Sequence, residues 1–309
     1  MEDVQTFITK RPTSPGAEKH MYVTHHVLDH GYIRLVDYMG TLDCLARAAR
    51  VSYKRSTKQQ LRNNPGLLRH LIRENHGSPL EMASMKFHMK LPLFVVAQLV
   101  RHRTAKQNHM SARYSVMPED FYLPAIERIC VQSTTNNQGS GEQISEEDAE
   151  AILFAMEADA KMSRATYKDN IGKNLTRELA RLNLPVSTYT EVYWKNDIRN
   201  ILGFLSLRQD PHAQYEIRVY ADKMAEIVKD WSIEIFTAYV DYMKESRNYS
   251  RMDHAVVSGL LAAHPELQDE IYARIAEDKS YSMRERREFV AALGLPPNPA
   301  FAPKKKSKK

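Results

Sequence analysis

The chain has 309 residues, 43% apolar and 27% charged, enough to bury a full core as one large domain with or without appendages. Its net charge is +6, but the last six residues, KKKSKK, supply five of those charges, so the globular part is nearly neutral and a protein that coats nucleic acid is disfavoured. The longest apolar stretch, Leu91 to Val100, is interrupted by Pro92 and Gln98 and falls short of a membrane span, the first residues show no apolar leader, and Cys44 and Cys130 stand far apart without CxxC spacing. A cytoplasmic protein with no membrane partner, disulfide framework or thiolate metal site is therefore expected.

Residues 1–40 show no strong period, and His20, His25, His26 and His30 lack the paired spacing of a metal-binding helix. TLDCLARAARVSY reads as a helix capped by Thr41, with Leu42, Leu45, Ala46 and Ala49 on one face. GLLRHLIREN is a second helix, closed by the turn HGSP. From Met85 to Lys90 the pattern alternates, with Met85, Phe87 and Met89 on one side, which is the mark of a half-buried strand. Pro92 then suits the start of a helix carrying LFVVAQLV.

That helix ends in RHRTAKQNHMSARYS, residues 101–115. A helix C-terminus attracts one cation; two fork-shaped guanidiniums flanking an imidazole go further, because they can hold a polyanion or a planar heterocycle by several hydrogen bonds at once. Ser111, Arg113 and Tyr114 downstream add a hydroxyl and another fork suited to a phosphate.

After Cys130 a polar stretch, QSTTNNQGSGEQ, reads as a surface loop or hairpin insertion. SEED then opens a long helix as a capping box, with Leu153, Met156, Ala160, Ser163 and Tyr167 along its inner face. A short helix, LTRELARLN, stops before Pro185; VSTYTEVYW alternates as a strand; Asp197 caps a helix with the stripe Ile198, Ile201, Leu202 and Leu205. The apolar steps Ile217, Tyr220, Met224, Ile227, Trp231 and Ile235 predict one long buried helix. Beyond about residue 245 the chain looks like a small helical appendage, in which SMRERREFVAALGLP has a Ser cap, a helix and a Gly stop.

Arg-His-Arg, seven residues, Ser and then Ala-Arg-Tyr-Ser resembles the signature of the flavin-dependent thymidylate synthases. It is joined in order by ARVSY at 49–53, HGSPLEM at 76–82, HMKLPLFVVAQLVRHR at 88–103, ELARLNLP at 178–185 and FLSLRQDPHAQYEIR at 204–218. The resemblance divides the chain into an extension (1–26), a synthase-like domain (27–245), a helical appendage (246–300) and a basic tail (301–309). It implies an α+β fold with a mixed sheet and long helices, and a homotetramer whose active sites are shared between subunits. The reaction implied moves a methylene from 5,10-methylenetetrahydrofolate to C5 of dUMP, with FAD carrying reducing equivalents from NADPH.

Carried over residue by residue, the resemblance places Ser52, His76 and Ser78 against flavin or folate, and Arg101, His102 and Arg103 on the flavin. Asp197, Arg199, Gly203 and His212 fall in a second flavin-binding segment. Gln98, Arg101, Ser111, Ala112, Arg113 and Arg181 match the nucleotide site, and Arg208 the catalytic residue that favours the ionised uracil. This chain departs from the family at Lys106, usually Ser; at His109, usually Glu, beside nucleotide and flavin; and at Gly203, usually a side chain able to bond the flavin. Three neighbouring arginines are expected to disfavour the imidazolium of His109.

Other function classes fit less well. A thiolate-dependent synthase needs an activated cysteine, and neither cysteine has that context; a hydrolase using Ser111 needs a base and an acidic orienter, and no such set is visible. A divergent relative that keeps only flavin or nucleotide binding, or less readily a nucleic-acid-binding protein, is the alternative.

Overall fold

The computed structural model describes residues 11–51, 64–134 and 138–302, and its contacts divide the chain into two units between Glu245 and Ser246. The first contains α1 (Pro15–Glu18), β1 (His25–Val27), β2 (Gly31–Met39), α2 (Leu42–Arg50), α3 (Asn64–Arg73), β3 (Ser84–Pro92), α4 (Leu93–Leu99) and β4 (Lys106–His109). It continues through a small hairpin of β5 (Cys130–Gln132) and β6 (Ser140–Gln143), then α5 (Glu146–Gly172), α6 (Arg177–Ala180), β7 (Tyr189–Asp197), α7 (Ile198–Arg208), α8 (Tyr215–Trp231) and α9 (Ile233–Tyr239).

Five strands form one sheet in the order β1-β2-β3-β7-β4. Every ladder is antiparallel, so the mixed sheet expected from the sequence narrows to an antiparallel one with a lone parallel bridge, Met21 to Leu35. Alternation sends Met85, Phe87 and Met89 of β3, with Val192 and Trp194 of β7, into the core against Ile201 and Leu205 of α7 and Ile217, Tyr220 and Met224 of α8. The other face is polar and aromatic: His88 bonds Glu191 at 2.7 Å and stacks on Tyr193 at 4.5 Å.

The register has a consequence for the site. His109 of β4 lies opposite Val192 and Lys106 opposite Lys195, so the start of β4 meets the end of β7. The cations just before β4 are thereby brought beside α7, which leaves β7 at Asp197, and Asn196 donates to the Thr104 hydroxyl at 3.2 Å across that junction.

Several sequence expectations are corrected. Residues 1–40 hold two strands; a bulge between Leu35 and Asp37 buries Leu35 and Val36 together and breaks the alternation that would have announced β2. Residues 14–18 are built into the body: Ser14 Oγ donates to the Trp231 carbonyl at 2.9 Å, and Ala17 is fully buried. The long helix through Ile235 breaks at Ser232, whose extended backbone (φ −158°, ψ 108°) ends α8 and whose hydroxyl accepts from Ile235 N to start α9. In α5 the buried positions depart from the expected stripe: Ala149, Ala160, Arg164 and Tyr167 are buried, Leu153 is half-buried and Met156 is exposed. Thr41 precedes α2 in cap geometry, yet its hydroxyl donates to Cys44 Sγ at 3.5 Å instead of closing the helix.

The second unit has its own small core of Leu261, Ile275, Val290, Leu295 and Phe301. Its helices are α10 (Arg251–Ala263), α11 (Pro265–Glu277) and α12 (Met283–Ala292). Capping boxes at Ser250–Asp253 and Ser282–Glu285 start α10 and α12, and Gly294, at φ +73°, ends the latter. Among the described residues, no helix is long and apolar enough to cross a membrane.

Candidate active site

Pro92 closes β3 and, in extended geometry, caps α4; Val95, Val96 and Leu99 bury the inner side of this short helix. Its C-terminus tightens through Arg101 N to Gln98 O and His102 N to Leu99 O, so the Arg-His-Arg segment forms a turn and not a further helical stretch. That turn directs alternate side chains apart. His102 goes inward, edge-on to Phe204 at 4.7 Å, whereas Arg101 and Arg103 remain exposed.

His102 Nε2 accepts from Arg208 Nε at 3.0 Å, which puts the ring proton on Nδ1. Burial first, and the Arg208 charge second, push the His102 pKa down to about 4, so the ring is neutral at pH 7. Arg208 also donates from Nη2 to the Gln98 carbonyl at 3.4 Å, and desolvation lowers its own pKa from the usual arginine range. Of the five guanidinium N–H groups, three stay uncommitted among the described residues. Gln98 in turn is hydrogen-bonded through its amide to Gln214.

Arg101 and Arg103, with Val100, line a cleft of about 380 Å³, and among the described residues neither guanidinium has a hydrogen bond or ion pair. The Ser111 segment folds as a turn, its carbonyl accepting from Tyr114 N and Ser115 N and its hydroxyl from Arg113 N at 3.3 Å. Ala112 is buried with Met117, Tyr167 and Ala180, and this packing brings Arg113 and Arg181, the residues that follow Ala112 and Ala180, to one region. Arg113 is paired there with Glu178 at 2.9 Å, both largely exposed.

His109 stands on β4 and hydrogen-bonds Gln107 at 3.1 Å. Its pKa is lowered as the sequence suggested, but the cause is partial desolvation of a ring that stays exposed on β4, and not a field of arginines. Arg113, the nearest of these in sequence, is neutralised by Glu178. Lys106 turns back to the Thr104 carbonyl at 3.2 Å.

The remaining positions separate by element. His76 and Ser78 are exposed on the turn after α3, where Gly77 lets Arg199 approach so closely that an added Cβ would lie 2.2 Å from its Nε. Arg199 is held by Glu81 at 2.7 Å. Asp197 is engaged as the cap of α7, accepting from Asn200 N and Nδ2 at 2.9 and 2.7 Å. Gly203 has open space where a Cβ would stand. His212 is paired with Asp210 at 2.8 Å and borders a different cleft from the one lined by Arg101 and Arg103. Ser52 lies outside the described residues.

Sequence reasoning missed the hydrogen-bond and ion-pair partners that hold the candidate residues. His102 and Arg208 were both candidates, but nothing in a spacing of 106 residues shows that one accepts from the other. Glu81, Glu178 and Gln214 also escaped, although they stand within the quoted segments HGSPLEM, ELARLNLP and FLSLRQDPHAQYEIR.

The thymidylate synthase complementing protein family matches residues 34–232. A flavin-dependent thymidylate synthase of Ruegeria pomeroyi is 44% identical over 290 residues, 93% of each chain, and one of Ehrlichia ruminantium is 44% identical over 292 residues, 94% of this chain and 95% of that one. Among solved structures, a UMP/dUMP methylase of Streptomyces cacaoi bound to 5-bromo-dUMP superposes with a TM-score of 0.63 at 29% identity, covering 70% of this chain and 97% of that one.

Proposed function

The chain belongs to the thymidylate synthase complementing protein family, and from that premise we propose that it methylates C5 of dUMP to give dTMP in a flavin-dependent reaction. In the full reading, the one-carbon unit comes from 5,10-methylenetetrahydrofolate, the reductant is NADPH, the cofactor is FAD, and the enzyme works as a homotetramer in the cytoplasm, where Cys44 and Cys130, both free, stay reduced.

The observation that carries this reading is the posture of Arg208. A neutral His102 and the Gln98 carbonyl hold its guanidinium from behind while three N–H groups remain for a ligand. A cation fixed in that way beside a pyrimidine stabilises negative charge spread into the ring, and C5 becomes the more nucleophilic for it. His102 positions Arg208 without adding a second charge.

The residues present fit an anionic dinucleotide: Arg101 and Arg103 offer two uncommitted forks at one cleft, and the space at Gly203 admits a planar group close to the α7 backbone. Flavin, when bound, supplies the redox chemistry between NADPH and the transferred methylene that no side chain can perform. Arg113 and Arg181 suit the nucleotide phosphate, with Glu178 as the acid that Arg113 leaves on binding. Separate clefts at Arg101/Arg103 and at His212 support sites completed by a second subunit. Neither cysteine is set up as a nucleophile: Cys44 Sγ accepts from Thr41, and Cys130 donates to the Glu127 carbonyl.

The test is release of tritium from [5-³H]dUMP with FAD, methylenetetrahydrofolate and NADPH present. Release from a yellow protein that stops when methylenetetrahydrofolate or NADPH is omitted, or when the bound flavin is stripped, supports the reading; a colourless protein with no release even with FAD added sinks it.

A further inference from the structure

The cleft bordered by His212 holds a feature that the reaction as described does not use. Its walls come from the tip of the β5–β6 hairpin (Gln138 to Ser140), from Arg128, and from the first turn of α8, with Tyr215 and Arg218; it encloses about 340 Å³. Arg128 and Arg218 share one aromatic ring. The guanidinium carbon of Arg128 is 4.5 Å from the Tyr215 ring centroid and that of Arg218 is 5.8 Å. Among the described residues the Arg218 side chain makes a single hydrogen bond, to the Pro211 carbonyl at 3.0 Å. The Arg128 guanidinium makes none among the described residues, and its Nε is buried without a partner.

Two like charges on one ring repel, and among the described residues no carboxylate lines the cavity to offset them. The one acid on the first turn of α8, Glu216, is buried and accepts instead from the Tyr122 hydroxyl at 3.0 Å. Planar forks with free N–H groups take carboxylate or phosphate oxygens in pairs, and an arginine held over a tyrosine ring is restrained to do so. The cavity also adjoins the candidate site: Gln214 in its wall is bonded to Gln98, whose carbonyl holds Arg208.

We propose that this cavity is an oxyanion site that seats the charged arm of a co-substrate, with Arg128 and Arg218 as its two forks and the β5–β6 hairpin as its outer wall. The inference rests on the synthase reading for the identity of the co-substrates. Two of them carry such an arm: the γ-linked glutamyl carboxylates of the folate and the 2′-phosphate of NADPH.

Binding of γ-linked triglutamate and of adenosine 2′,5′-bisphosphate to the full chain, followed by calorimetry, distinguishes the two sources. One probe is expected to bind, and Arg128→Gln/Arg218→Gln to weaken it by about tenfold or more, since hydrogen bonds to charged groups are lost. Ser140→Asp, at an exposed hairpin position, places a carboxylate where the anion would sit and should give the same loss even if the double variant does not fold. In turnover, the KM advantage of triglutamyl over monoglutamyl folate, or of NADPH over NADH, should vanish in the same variants. Failure of both probes to bind the natural chain, or equal binding by the variants, overturns the proposal. Absence of dTMP formation alone would instead sink the synthase reading, because probe binding needs no turnover.

Discussion

His102 does its work as a neutral acceptor, and that role has a pH signature. Its folded pKa of about 4 lies below the 6.5 of an unperturbed histidine, so between those values the unfolded chain binds the extra proton more strongly. Stability contributed by the neutral ring is fully present above 6.5 and is lost as the pH falls toward 4. His102→Phe keeps a ring against Phe204 but removes the acceptor; it should flatten the acid limb of a stability-versus-pH curve and lower kcat/KM for dUMP by about tenfold or more, as Arg208 loses its support. An unchanged kcat/KM would show that Arg208 needs no positioning. His109 gives a second, separable profile. Partial desolvation lowers its pKa, so at pH 7 it is a neutral acceptor; acidification adds a cation and removes that acceptor. dUMP-dependent activity should therefore fall on the acid side of pH 6.5, and His109→Glu should move that limb toward the carboxylate range near pH 4. Superimposable profiles for the two proteins would refute a role for His109 in the nucleotide response.

Among the elements, α1 shows how tightly the first described residues are tied to the body. At Gly16 an added Cβ would stand 1.7 Å from the Asp230 carbonyl oxygen, inside the backbone of α8, and neither helix has a side chain there that could swing aside. Gly16→Ala should destabilise the chain by about 1–3 kcal/mol through this overpacking, read as a lower denaturant midpoint. A midpoint equal to that of the natural chain would mean that α1 is free to lift from α8. The same contact explains why α1 was illegible: four residues leave no period to detect, and what fixes them is a carbonyl more than 200 residues away. The strand β3 and the helices α2, α3 and α7 were legible because their burial follows the simple periods of 2 and 3.6. β2 and the α8–α9 break were not, since a bulge and a single serine cap alter the backbone without altering composition.

For the whole molecule, legibility followed charge. The Arg-His-Arg turn and the Ser111 turn suggest the proposed anion site from residue type alone, whereas the acids that hold Arg199 and Arg113, Glu81 and Glu178, lie on elements that only folding brings near. The oxyanion cavity was hidden for the same reason: Arg128 and Arg218 meet at Tyr215 from segments 90 residues apart in a chain whose body is almost neutral. Energy is divided along the chain as well. The body has a continuous core from α1 to α9, while the residues after Ser246 bury Leu261, Ile275, Val290, Leu295 and Phe301 among themselves, with their own helix caps. A chain ending at Glu245 removes no side chain of the first core and none of the proposed catalytic or binding residues. It should therefore unfold in one cooperative step with an m-value lower by roughly one fifth, in proportion to the surface no longer exposed on unfolding, and it should still bind dUMP. Loss of the cooperative transition, or of dUMP binding in a chain that still folds, would show that the C-terminal unit completes the site and is more than an appendage to it.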